Sequence, residues 1–211
     1  MTLSTLDPNT ALVLIDLQVG TVARLTVPHP ADQVVERGRE LADVFRAHGL
    51  PVVLVNVVDG APGRTELDLI AAEEAEADED AAAESEEAEG SEGSEDEGPA
   101  DWADIVAGLD VQPSDLRVSK RSWGAFHETD LDTLLRRRGV TQVVLGGLMT
   151  SIGVETTARE AYAHGYHVTL ATDAMADWTA EAHGRSVELV FPRLGERGTA
   201  AEIVELLDRT R

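Results

Sequence analysis

The chain contains no cysteine. That excludes disulfides, thiolate metal sites and every mechanism with a cysteine nucleophile. Aromatic residues are scarce, at 4%, so Val, Leu, Ile and Ala must fill the interior. Long apolar runs are missing too: none approaches the ~18–20 residues that a membrane-spanning helix needs. The opening MTLSTLDPNT has neither a basic start nor an apolar stretch. No secretory signal is visible there, and a cytoplasmic location is expected. Bases are few: 17 Lys and Arg stand against 40 Asp and Glu, for a net charge of −23. Binding by neutralisation of phosphates is disfavoured, so neither a nucleic-acid nor a membrane partner is expected.

The acid excess is local. Residues 73–97 hold 14 acids and no base; outside them 26 acids face 17 bases, a net −9. This run has no large apolar residue and ends in Gly, Ser and Pro. It cannot bury enough surface to offset its ordering entropy. Residues 73–100 are therefore expected to be an acidic, low-complexity, disordered insertion within a single domain spanning 1–211. The cost of closing a loop grows only logarithmically with its length, so a domain can carry it. A docking segment for a basic partner, or a cation buffer, is the functional alternative.

What remains is 43% hydrophobic in a chain of 211 residues, enough for an α/β domain. Four short apolar runs stand out: Ala11–Ile15, Val52–Val57, Val143–Leu148 and Val168–Thr172. Continuous apolar runs suit strands buried on both faces, as in parallel sheets. Helical patterns lie between and after them, at 31–48, 131–138, 154–163, 180–191 and 200–207. Several end at Gly or just before Pro, the usual stop signals. Strands alternating with helices predict a three-layer α/β/α sandwich around a parallel, doubly wound sheet.

In such sheets ligands bind beyond the carboxyl ends of the strands. Asp16 follows the first run, in Ile15-Asp16-Leu17-Gln18, and Gln18 is counted with it as a pocket residue. Lys120 follows a short strand-like run, Leu116–Ser119, and Gly146–Gly153 leaves the third apolar run and enters a helix. A carboxylate, an ammonium and a helix N-terminus thus converge on one edge, an acid/base pair beside an anion hole. Singly, each has a plain reading: a turn residue, a surface lysine, glycines for close packing. Trp123 and Phe126 are candidates to wall a pocket, with core packing as the alternative. Arg64 is a candidate to grip a carboxylate. Ser151 reads as a helix cap rather than a nucleophile. The six histidines show no metal-ligand spacing and are read as structural.

The segments ALVLIDLQ at 11–18, SKRSWGAFHETDLDTLLRRRGVTQVVLGG at 119–147 and LMTSIGVETTAREAYAHGYHVTLATDAMAD at 148–177 resemble the isochorismatase-like hydrolases, also called the cysteine hydrolase superfamily. The resemblance covers the chain apart from the acidic insertion. It implies that Asp16 and Lys120 are the catalytic aspartate and lysine. It places the family's nucleophilic cysteine at Gly153, a departure from the amidases that matches the true isochorismatases. It implies a cis peptide at Leu148–Met149, aiming the Met149 and Gly153 amides into one anion-binding pocket. The stretch after the second run holds Asp59 but no histidine, so no catalytic metal and no cofactor are expected.

Amide hydrolysis in this family runs through a thioester that this chain cannot form. The chemistry implied is protonation of an enol ether and addition of water, on a small, anionic substrate. Asp16 as a general base, with Lys120 holding a substrate anion, is a second assignment. A catalytically silent binding member, a docking protein using the acidic run, and a Ser151 amidase are the rivals. The resemblance also implies a homo-oligomer.

Overall fold

The four apolar runs form the centre of one sheet. The computed structural model describes residues 3–60, 64–66, 70 and 101–210. The stretch 73–100, read from the sequence as an insertion, lies outside the described residues. The chain packs as two compact units, Met1–Gly60 with Pro99–Arg211, and Ala61–Gly98. The sheet belongs to the first. Its strands are β1 (Thr10–Ile15), β2 (Val52–Val57), β3 (Leu116–Lys120), β4 (Gln142–Leu148), β5 (His167–Ala176) and β6 (Glu196–Gly198). Their order is β3-β2-β1-β4-β5-β6, and every pair is parallel.

Every residue of β1 and β4 is buried, because helices cover both faces. Alternation of side chains splits the strands between two cores. Leu12 and Leu14 join Leu54 and Val144 under α2 (Ala31–Ala47) and α6 (Ala200–Thr210). Val13 and Ile15 join Val53, Val55 and Leu145 under α3 (Leu131–Arg137) and α4 (Glu155–Ala163). Along α2 the buried stripe is Ala31, Val34, Gly38, Leu41, Ala42 and Phe45, a helical period. The helix stops where Gly49 takes φ +69° and the Leu50 amide reaches back to the Phe45 carbonyl at 2.8 Å, a left-handed C-cap. The three-layer sandwich read from the sequence is the fold observed.

Three elements depart from that reading. β5 extends to Ala176, and its register against β4 slips between Leu145 and Gly147. β6, only Glu-Arg-Gly, has no strand signature of its own. The helix expected over 180–191 is α5 (Ala180–Arg185), then a looser π-helical turn, Ser186–Val190, and a 3-10 turn, Phe191–Arg193. Phe191 is fully buried in the core.

The strand order reverses between β1 and β4, which lead away to opposite edges. That switch point opens a crevice beyond their carboxyl ends, the general ligand position in open parallel sheets. Gly147 lets the two strands meet there. Its φ is +117°, and a Cβ at that position would lie 2.0 Å from the Ile15 carbonyl oxygen. Among the described residues no helix is long and apolar enough to cross a membrane.

Candidate active site

Asp16 is the first residue past β1. Its backbone is in the left-handed region, φ +52°, which a non-glycine residue adopts at a cost. Bonds on both sides hold it there. Its amide donates to the Val55 carbonyl at 2.8 Å, and its carbonyl accepts the Thr21 hydroxyl. Thr21 lies on α1 (Val19–Val22). The conformation turns the carboxyl inward, where it is 6% exposed.

Lys120 ends β3, two strands away, in register with Val57 of β2. Its side chain crosses the end of β2 and is buried, at 3% exposure. The ammonium donates to Asp16 Oδ2 at 2.8 Å and to the Ser122 carbonyl at 3.0 Å. It is also the only lysine in the chain; the other sixteen bases are arginines. Lysine binds as a compact charge that reaches one partner, whereas arginine's fork needs more room. That compositional signal was available in the sequence and points to Lys120 directly.

Gly153 closes the third side. It lies in a π-helical turn, Thr150–Val154, that leads into α4. A Cβ there would stand 3.2 Å from Asp16 Oδ2, 3.1 Å from the Leu148 carbonyl oxygen and 2.9 Å from Ile15 Cγ2. The Leu148–Met149 peptide is cis. The Met149 carbonyl accepts the Ile152 and Val154 amides, each at 3.1 Å, and its side chain is buried with Leu148. Ser151 lies inside this turn; Met149 stands at the N-cap, which corrects the reading of Ser151 as the cap.

The electrostatics follow from burial. Asp16 is raised from 3.8 to about 6, chiefly by loss of solvent, with Lys120 pulling the other way. Desolvation outweighs the nearby cation, so Asp16 exchanges a proton close to neutrality. Its Oδ1 is buried with no hydrogen-bond partner among the described residues. Buried oxygens are nearly always bonded, so this one is open to a ligand atom.

The other candidate residues are placed differently. Gln18 is fully buried, and its amide is spent on backbone: Oε1 accepts from the Val57 amide at 2.8 Å, and Nε2 donates to the Val57 and Trp102 carbonyls at 2.9 and 3.2 Å. Phe126 packs in the core, stacked on His164 at 5.0 Å. Trp123 is 64% exposed. Arg64 is exposed and belongs to the second unit. Among the described residues no three His, Asp or Glu side chains gather as a metal site would require.

Two residues hold the Met149–Ser151 turn: Asp177, to which the sequence reading gave no role, and His183, read as structural with the other histidines. Asp177, just past β5 and buried, accepts the Ser151 amide at 2.6 Å and the Trp178 amide at 2.8 Å. His183 on α5 meets the Thr150 hydroxyl at 3.0 Å. Burial, and then His29, lower its proton affinity.

Comparison with known proteins gives the same frame. The model of the isochorismatase domain matches residues 10–202. The isochorismatase family protein YwoC of Bacillus subtilis is 42% identical over 201 residues, 93% of each chain. YecD of Escherichia coli O157:H7, also an isochorismatase family protein, is 39% identical over 198 residues, 94% of this chain and 96% of the relative. An isochorismatase family protein of Burkholderia thailandensis, solved as a structure, superposes with a TM-score of 0.79 at 38% identity, covering 97% of this chain and 98% of that one. With a family match across the sheet, its covering helices and the Asp16–Lys120 crevice, the chain belongs to the isochorismatase family of hydrolases.

Proposed function

We propose that the chain hydrolyses a small anionic substrate by acid–base chemistry at Asp16, with an enol ether of the isochorismate type as the bond broken. The observation that supports this most directly is the buried Asp16 carboxyl, with one oxygen on Lys120 and the other without a hydrogen-bond partner among the described residues. The chain has no cysteine, which leaves the thioester route without its nucleophile.

A carboxyl titrating near 6 is suited to give and regain a proton at neutral pH. In the forward step the Asp16 proton passes to the terminal vinyl carbon, and an oxocarbenium ion forms on the ether carbon. Water adds to that carbon and returns a proton to Asp16. The hemiketal then collapses to a carbonyl compound, pyruvate for isochorismate, and the free alcohol. One water is consumed and no oxidant is needed. When Asp16 is protonated, the Lys120 ammonium is a buried and unbalanced positive charge. That is the physical reason to expect an anionic substrate.

The test is pyruvate release from isochorismate by wild type and Asp16→Asn side by side. Release by wild type with loss of at least about 10²-fold in the variant, the scale of a missing general acid, supports the assignment. Equal release overturns the role of Asp16. No release from wild type overturns isochorismate as the substrate.

A further inference from the structure

Lys120 owes its position to more than Asp16. Its second bond runs to the Ser122 carbonyl at 3.0 Å, so the loop after β3 must stay in place for the ammonium to do so. Within the loop, the Ser122 hydroxyl donates to the Gly124 carbonyl at 3.2 Å and the Thr129 hydroxyl to the Ala125 carbonyl at 2.5 Å. The fully buried amide of Ala125 finds its acceptor on another element, the Thr157 hydroxyl of α4, at 3.1 Å. The same hydroxyl donates to the Gly153 carbonyl at 2.7 Å.

A hydroxyl has one proton and two lone pairs. With the proton committed to Gly153, a lone pair faces the Ala125 amide, so the two bonds orient each other. Thr157 is itself fully buried, and no water can replace it without room being made. Glu160, one turn further, accepts the Phe126 amide at 2.9 Å and fastens the next residue from the rim. One helix face thus clamps the loop that carries the Lys120 acceptor, and the same hydroxyl holds the Gly153 turn, whose Cβ position lies 3.2 Å from the Asp16 Oδ2 that Lys120 bonds.

We infer that Thr157 is a positioning residue for the Asp16–Lys120 pair: it ties the Lys120 loop to the Gly153 turn, so that both walls of the crevice are set by one hydroxyl. This rests on the reading of that pair as the reactive centre, but its test does not depend on turnover.

The single lysine makes the test clean. In this 211-residue chain, reductive methylation has only Lys120 and the terminal amine as targets, and mass spectrometry of peptides separates them. In wild type the buried Lys120 should be protected. Thr157→Val keeps the shape and removes both bonds; Ala125 amide exchange and Lys120 methylation should each rise about tenfold or more, the scale of losing a buried hydrogen bond. Thr157→Ser should restore wild-type values in both. Thr157→Ala, which introduces no new bulk, gives the same reading should the valine variant not fold. Faster Ala125 exchange with Lys120 still fully protected would overturn the inference, leaving Thr157 a local bond only. Failure of Thr157→Ser to restore protection would overturn it as well. Loss of turnover in Asp16→Asn is a separate result, so the two readings fail independently.

Discussion

Asp16 carries opposing demands that a pH series separates. Its folded value of about 6 stands above the ordinary aspartate value of 3.8, so the folded state holds the proton more tightly than the unfolded one. Stability from this group is complete below about pH 4 and is lost as pH rises through about 6, a change of roughly 3 kcal/mol. Asparagine cannot ionise. Asp16→Asn should match wild type near pH 4 and be more stable by roughly that amount near pH 7, measured by denaturant unfolding at both pH values. A constant difference would remove the buried-acid assignment. Gly153 gives the second prediction at this scale. A side chain there must displace Ile15 Cγ2, at 2.9 Å from its Cβ. Gly153→Cys should therefore cost about 1–3 kcal/mol, the range for overpacking, and pairing it with Ile15→Val should recover part of that in urea melts. That Asp16 and Lys120 meet at one sheet edge was legible because each lies at a strand end. Gln18 and Phe126 were read as pocket residues because sequence places them beside Asp16 and Lys120. Whether a side chain turns to the crevice, the backbone or the core depends on contacts with distant segments, and spacing does not encode those.

At the scale of elements, the crevice depends on segments that meet only in the fold. Asp177 takes two backbone amides, from Ser151 and Trp178, and its own backbone pairs with Val27 in both directions at 2.8 Å. Asp177→Ala leaves two amides without acceptors and should cost about 2–3 kcal/mol, read from chemical denaturation. Asp177→Asn retains one carbonyl oxygen and should cost less. If alanine were harmless, solvent would be reaching a site that is 1% exposed. The helices and central strands were readable because period and stop signals are local: α2 shows both. The end of β5 was not, since Thr172–Ala176 is mixed in polarity and becomes strand only by rejoining β4 past the slip at Gly146. β6 exists because β5 offers an edge; nothing in Glu-Arg-Gly asks for a strand. α5 passes into a π-helical turn instead of continuing evenly to Phe191, a change in hydrogen-bond register that hydrophobic spacing does not distinguish.

For the whole molecule, the question is how a domain tolerates 43 residues between β2 and the segment that re-enters at Asp101. The described ends of that excursion are fastened to each other. Asn56 donates to the Ala103 carbonyl at 2.8 Å, the Gly20 amide to the Trp102 carbonyl at 3.0 Å, and Gln18 bridges Val57 and Trp102. With the ends held by the first unit, the intervening length adds only a logarithmic closure term, about 0.6 kcal/mol per doubling. Removing residues 73–98 should therefore raise stability by no more than about 1 kcal/mol, a few degrees in the thermal midpoint, and leave the titration of Asp16 unchanged. The net charge would move from −23 to −9, because that stretch holds 14 acids and no base. Earlier elution from an anion exchanger should report the charge change, while a 13C titration of the Asp16 carboxyl reports the site. The fastening also makes a contrast available. Gln18→Ala cuts the clasp and leaves the acidic run intact, so it should destabilise the first unit by about 1–3 kcal/mol through its unpaired Val57 amide. Should the deletion destabilise the protein and Gln18→Ala not, the acidic segment would be a structural part of the domain rather than a passenger on it.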